Sequence, residues 1–262
     1  MLAKRLLISV AAVLLPAACS SSTDDDDGSP ERPDSGGTSV GDEAPIVPEG
    51  LTVSPLAGGN GVLEVIALTL RAGPSGAELY AALRNDGDIP ACSAAFSVEL
   101  FDEIGQSLAA GIGGLLTQRF HRLTDGSGAI AACVSPGDVT MSAVTDLPSD
   151  LAIDAVDTIV YRCPYFALEV VPIDGLAVEQ VKSVARGSGA AYTGTLVNGF
   201  DVPVSNPSVT VFPVNRAGRP LGATIGSSTD TIPPGGSWAF ETDVIDARAT
   251  DHVAYPAGAF AN

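Results

Sequence analysis

Asn85-Asp86-Gly87-Asp88-Ile89-Pro90 opens a segment that closes at Asp102-Glu103-Ile104-Gly105, and Asn198-Gly199-Phe200-Asp201-Val202-Pro203 opens one that closes at Asn215-Arg216-Ala217-Gly218. In both, the opening Asn and the closing Gly are 20 positions apart. Pro90 matches Pro203, Val98 matches Val211 and, just beyond, Leu108 matches Leu221. Val134-Ser135-Pro136-Gly137 then corresponds to Ile232-Pro233-Pro234-Gly235, after 15 additional residues in the first copy. Self-similarity at a fixed offset marks a duplicated structural unit. Each closing turn has Asp or Asn first and Gly last, the chemistry of a type I turn joining two strands of a hairpin.

Around these segments, from about residue 60, short apolar-rich runs alternate with Gly, Pro, Asn and Asp, and no long window has a helical period. Val62 to Leu70, Glu78 to Leu83, Ala95 to Phe101, Val139 to Val144 and Thr158 to Tyr161 read as strands. The pattern predicts an all-β protein: two tandem immunoglobulin-like β-sandwich domains over residues 51–165 and 166–262. Only 14 of 262 residues are aromatic, so Val, Leu, Ile and Ala must fill most of the core. Trp238 and Phe240 alternate along one strand and are expected in that core. Pro164 to Pro172 is the expected junction, with Tyr165 and Phe166 sealing the contact between domains.

Val98-Glu99-Leu100-Phe101-Asp102, followed by Gly105, resembles the Phe-x-Leu-Tyr-Asp signature of the FxLYD domains, immunoglobulin-like sandwiches of exported bacterial and archaeal proteins. Asn85 and Asn198 match that family's Asn after its second strand, and Pro234, Gly235 and Phe240 match its late Pro-Gly strand. Val98 and Val211 stand where the family has its first Phe, and the second copy reads Pro213-Val214-Asn215 in place of Leu-Tyr-Asp. The resemblance implies a fold and no reaction, since one sandwich serves many functions.

At the start of the chain, Lys4 and Arg5 lead into an apolar run from Leu6 to Leu15 that ends Pro16-Ala17-Ala18-Cys19. A basic start, a short apolar stretch and small residues make an export signal. A cysteine at that place resembles the lipobox of bacterial lipoproteins, although Pro16 stands where Leu is usual. This implies a signal peptide over 1–18, lipidation of Cys19 and attachment to the membrane through lipid. Ordinary signal cleavage is the alternative. Ser20 in place of Asp after the cysteine implies, by the sorting rule of enteric bacteria, the outer membrane of the cell envelope where the host has one.

From Cys19 to residue 50 the chain carries Asp24 to Asp27 and is rich in Pro, Gly and Ser, a composition expected to form a disordered acidic linker. Without Lys4 and Arg5 the chain has 11 basic against 31 acidic residues, 11 minus 31 or −20, which argues against nucleic acid as a partner. Envelope proteins are the expected partners.

Cys92, Cys133 and Cys163 remain after Cys19, and an oxidising compartment favours one disulfide. Cys92 with Cys133 is the preferred pair and Cys92 with Cys163 the alternative. Ser205 and Thr231 occupy the equivalent places of the first pair in the second copy, so the fold does not require the bond. No catalytic residue, metal site or cofactor is expected. Gly37-Thr38-Ser39-Val40-Gly41 fits a nucleophile-elbow pattern but lies in the acidic linker. His121 and His252 have no Cys or second His at ligand spacing, and His121 reads as a solvated residue of the inserted loop. Asp86 and Asp88 could bind calcium, but Gly199 replaces Asp86 in the second copy, so Asn85, Asn198 and the later Asp are expected to serve the turn itself.

The sequence therefore describes a non-enzymatic envelope lipoprotein acting as a structural or interaction module, with Leu115 to Ala131 as its distinctive surface. A binding protein for a small molecule, metal or glycan held between the domains is the alternative.

Overall fold

Gly, Pro and Asp at the turns cut the chain into nineteen strands among the described residues, which are 47–57, 61–74, 76–246, 249 and 251–260 of this computed structural model. The first ten are β1 Thr52–Pro55, β2 Leu63–Gly73, β3 Gly76–Asn85, β4 Ala91–Cys92, β5 Ala95–Phe101, β6 Ser107–Leu116, β7 Phe120–Leu123, β8 Ile130–Val134, β9 Val139–Val144 and β10 Thr158–Arg162. The remainder are β11 Phe166–Ala167, β12 Val170–Ile173, β13 Leu176–Arg186, β14 Gly189–Asn198, β15 Val204–Val214, β16 Thr224–Ser227, β17 Thr231–Ile232, β18 Ser237–Glu241 and β19 Asp251–Phe260. Ile153–Ala155 forms one 3₁₀ turn. The protein is all-β, and no helix among the described residues is long and apolar enough to cross a membrane. The export signal, Cys19, most of the acidic linker and Gly37 to Gly41 lie outside the described residues.

Alternation sets the layers. In β5, Phe96, Val98 and Leu100 point inward while Glu99 between them is exposed. They meet Leu63, Val65 and Leu68 of β2, Leu79 and Leu83 of β3, Val144 of β9 and Ile159 of β10 in one core. The sheet order β1-β10-β5-β6-β9-β3-β2 folds across this core, because β6 touches β9 only at Leu115↔Ser142 and Leu116↔Met141. Every pairing is antiparallel except β1 with β10.

The second half repeats this order, at an offset of 113 positions, 198 minus 85, for the strands that precede the insertion and at smaller offsets after it. β13-β14-β18 takes the place of β2-β3-β9, and β16-β15-β19 that of β6-β5-β10, around a core of Tyr192, Leu196, Val209, Val211 and Phe240. Trp238 packs on this core half-buried while Phe240 is 4% exposed.

The matched Asn residues pin equivalent corners. Asn85, fully buried, donates from Nδ2 to the carbonyls of Ile89 and Val134, both at 2.8 Å, and its Oδ1 accepts from the Gly87 N–H at 3.0 Å. Asn198, equally buried, donates to Val202 at 2.9 Å and Ile232 at 3.0 Å and accepts from Phe200 at 3.0 Å. Gly137 and Gly235, at φ 77 and 68, turn back to donate to the two Asn carbonyls at 2.8 and 2.9 Å. The hairpin turns match too: Asp102 Oδ1 accepts from the N–H groups of Ile104 and Gln106, and Asn215 Oδ1 from those of Ala217 and Arg219.

Three sequence expectations are corrected. The insertion is not a free loop: β7 and β8 form a hairpin in the sheet β11-β4-β8-β7-β12, and Phe120 enters the second core at 5% exposure. His121 is not solvated but 3% exposed, because β7 is flanked by β8 through His121↔Ala131 and by β12 through Pro172↔His121. Phe166 does not seal a junction; it is 63% exposed on β11, and Tyr165 packs on the first core. What joins the halves is a third cluster, Ala67, Tyr80, Ala82 and Met141 against Phe212, Val214 and Tyr255. All of this lies in one compact unit.

Candidate interaction surface

Each chemistry-bearing residue has a local account. Cys92 and Cys133 sit directly opposite on β4 and β8 and are bonded, leaving Cys163 as a buried thiol that burial pushes up to about 12. At the same register in the second half, Ser205 and Thr231 face each other with their hydroxyls 3.3 Å apart. Asp86 is bound by Arg84, whose hydrogen bond holds the carboxyl below its usual range. Asp201, expected to bond its own turn, instead faces Arg122 at 3.7 Å. Among the described residues no three His, Cys, Asp or Glu side chains gather as metal ligands would.

His121 Nε2 lies 3.3 Å from Ser135 Oγ, and its buried Nδ1 has no hydrogen-bond partner among the described residues. A serine nucleophile needs a base whose far nitrogen is held by an acid. Here the far nitrogen faces no carboxylate. Burial lowers the pKa of His121, Arg119 adds to the lowering and Asp138 opposes it. The ring is therefore mainly neutral at pH 7.

Clefts on the described residues of the first half include two lined by several charged groups. One of about 720 Å³ is lined by Glu49, Asp102, Glu103, Asp154 and Asp157 beside Leu51 and Leu70. Its carboxylates are partly committed: Asp102 holds the β5–β6 turn and Asp157 accepts from the Thr158 hydroxyl at 2.9 Å. The other, about 610 Å³, lies on the outer face of β6-β5-β10. There Leu56 and Ile112, 47% and 58% exposed, flank Ala110 and Val160, with Glu99, Asp146 and Arg162 as the charged groups.

This second cleft has a counterpart in the second half, 113 positions on for β5 and β6 and 93 positions on for β10, and the centre of the counterpart is covered. Glu99, Ala110, Val160 and Arg162 correspond to Phe212, Ala223, Val253 and Tyr255, all packed in the third cluster. Tyr80 meets Phe212 edge-on at 6.4 Å, and Phe212 meets Tyr255 at 5.9 Å. The Thr69 hydroxyl donates to the Pro220 carbonyl at 2.6 Å and Gln118 Nε2 to that of Ala254 at 2.9 Å. Burial, with the neighbouring Glu78, raises the Tyr80 hydroxyl to about 12, so it remains a donor to Glu78 at 2.7 Å. Sequence reasoning missed this surface; the apolar outward residue Ile112, matched by Ile225, was its only local signal.

No family model matches the chain, and no curated protein matches it. Among solved structures, the crystal structure of red sea bream transglutaminase aligns over 72% of this chain and 26% of its own, with 11% identity and a TM-score of 0.19. That likeness is too slight to inform function.

Proposed function

We propose that the chain is a non-enzymatic cell-envelope lipoprotein, anchored through lipid on Cys19, whose two FxLYD-like, immunoglobulin-like halves form a structural or protein-interaction module. One observation carries this reading. The outer face of β6-β5-β10 is open and displays Leu56 and Ile112, while on the same face of the second half Phe212, Val253 and Tyr255 pack under a sheet of the first and Ile225, at the Ile112 position, stays 47% exposed. Such a face binds protein elsewhere in this molecule, and exposed apolar side chains around a groove mark interaction sites.

The surface differs from the inserted segment favoured by sequence, because the insertion is spent on joining the halves through Phe120. The test is capture of envelope proteins by the full chain in detergent, beside an Ile112→Glu, Leu56→Glu variant. A saturable protein partner retained by the parent and lost by the variant supports the reading; no saturable protein partner at high bait concentration overturns it. Cys19→Ser should release the protein from membranes, and retention of that variant would overturn the lipid anchor.

A further inference from the structure

The contact between the halves shows what covers a face of this kind. One member is the outer face of β2-β3-β9, with Thr69, Tyr80 and Met141; the other is the outer face of β16-β15-β19, with Phe212 and Tyr255. Each member has a counterpart elsewhere in the same chain. For β2-β3-β9 it is β13-β14-β18, where Lys182, Thr193 and Ala239 stand in register with Thr69, Tyr80 and Met141. For β16-β15-β19 it is β6-β5-β10, with Glu99 and Arg162. Lys182, Ala239, Glu99 and Arg162 are exposed. One molecule thus presents an open copy of both halves of a contact it has already made once.

Among the altered side chains one pair, Lys182 with Glu99, is complementary in charge, and Glu241, at the Ala143 position, is already paired with Arg186. In the internal contact Thr69 Oγ1 reaches the Pro220 carbonyl. The register partner of Pro220 is Val214 and that of Ser107 is Phe101, which places Ser107 at the Pro220 position. Ser107 Oγ donates to Glu99 at 2.9 Å. The Thr69 position is Lys182, the only lysine after Lys4. Repeating the internal contact between two molecules therefore sets the Lys182 ammonium of one against the Glu99 carboxylate of the next.

We infer that copies of this chain associate head to tail, the β13-β14-β18 face of one docking on the β6-β5-β10 face of another with Lys182 paired to Glu99. The inference rests on the interaction-module reading and names a second copy of the chain as the partner. The contact is heterologous, so each addition leaves an open face and assembly proceeds as a row or a ring. Without the Tyr80–Phe212 aromatic pair it is weaker than the internal contact, hence reversible.

The experiment uses the full chain in a large excess of detergent micelles, followed by sedimentation velocity over rising concentration and by carbodiimide cross-linking with peptide mass spectrometry. Sedimentation should rise with concentration, and a zero-length cross-link should join a Lys182 peptide to a Glu99 peptide. Lys182→Glu and Glu99→Lys should each weaken association about tenfold, and the two together restore it. A sedimentation coefficient constant at the highest concentration, or single reversals without effect, overturns the inference. Capture of a different envelope protein by such a monomer leaves the broader reading standing.

Discussion

The outer faces of β2-β3-β9 and β13-β14-β18 have the same strand order, with a bulge placed differently in β2 and β13, and opposite fates. The first carries Ala67, Tyr80, Ala82 and Met141, each at most 3% exposed beneath the second half. The second carries Gln180, Thr193, Thr195 and Ala239 at the matching positions, with Lys182 at that of Thr69, and meets solvent. Strand order alone therefore does not decide whether a sandwich continues into a neighbour. A few outward side chains do, because they determine whether covering the face removes apolar area from water or strips hydration from charges. The apolar version holds permanently, and the polar one stays open between encounters.

The sharpest way to break this comparison is Tyr80→Ala against Thr193→Ala. The first should lower unfolding stability by about 4 kcal/mol and the second by less than about 0.5 kcal/mol, read by urea denaturation. Similar losses would show that the two faces are energetically alike. Next in size is the cross-strand pair: Cys92→Ser with Cys133→Ser should lose about 3 kcal/mol, whereas Ser205→Ala with Thr231→Ala should lose under about 1 kcal/mol. The corners should not differ, since Asn85→Ala and Asn198→Ala each strand two buried carbonyls and an N–H; about 2 kcal/mol each is expected from the same melts.

The smallest effect is a pH dependence confined to the first half. His121 has a folded pKa below its ordinary 6.5, so the unfolded chain binds the proton more readily. Its contribution to stability is present above about pH 6.5 and is lost as pH falls from there towards the folded value. The melting temperature of the parent should drop more steeply on acidification than that of His121→Phe; parallel curves would show that the ring is not the titrating group.

Much of the fold was legible because its determinants are local. Ala95–Phe101 and Val139–Val144 form strands over the residues their alternation indicates, and Asn-to-Gly spacing marked both corners before the carbonyls they bind were known. The Cys92–Cys133 bond follows from corners that bring β4 beside β8. The candidate surface was not legible. Nothing near Phe120 says that its ring meets Phe200 at 5.2 Å, eighty positions away, nor near His121 that β12 will cover it. Whether Glu99 or Phe212 lies under another sheet is decided by outward side chains on strands far apart in sequence, a pairing that alternation within one strand does not show.

The parallel pairing of β1 with β10 has a mechanical consequence. β1 is the first strand beyond the acidic segment, and Thr52 to Pro55 run alongside Thr158 to Tyr161 in the same direction, with Leu56 N–H closing on the Tyr161 carbonyl at 2.7 Å. A pull on the chain ahead of β1, opposed by a grip on anything after β10, tugs the two strands from opposite ends. The bonds between them are then strained side by side in shear and not opened one at a time. A molecule tied down at its N-terminal side and held by a partner farther along would meet tension with its whole first ladder at once.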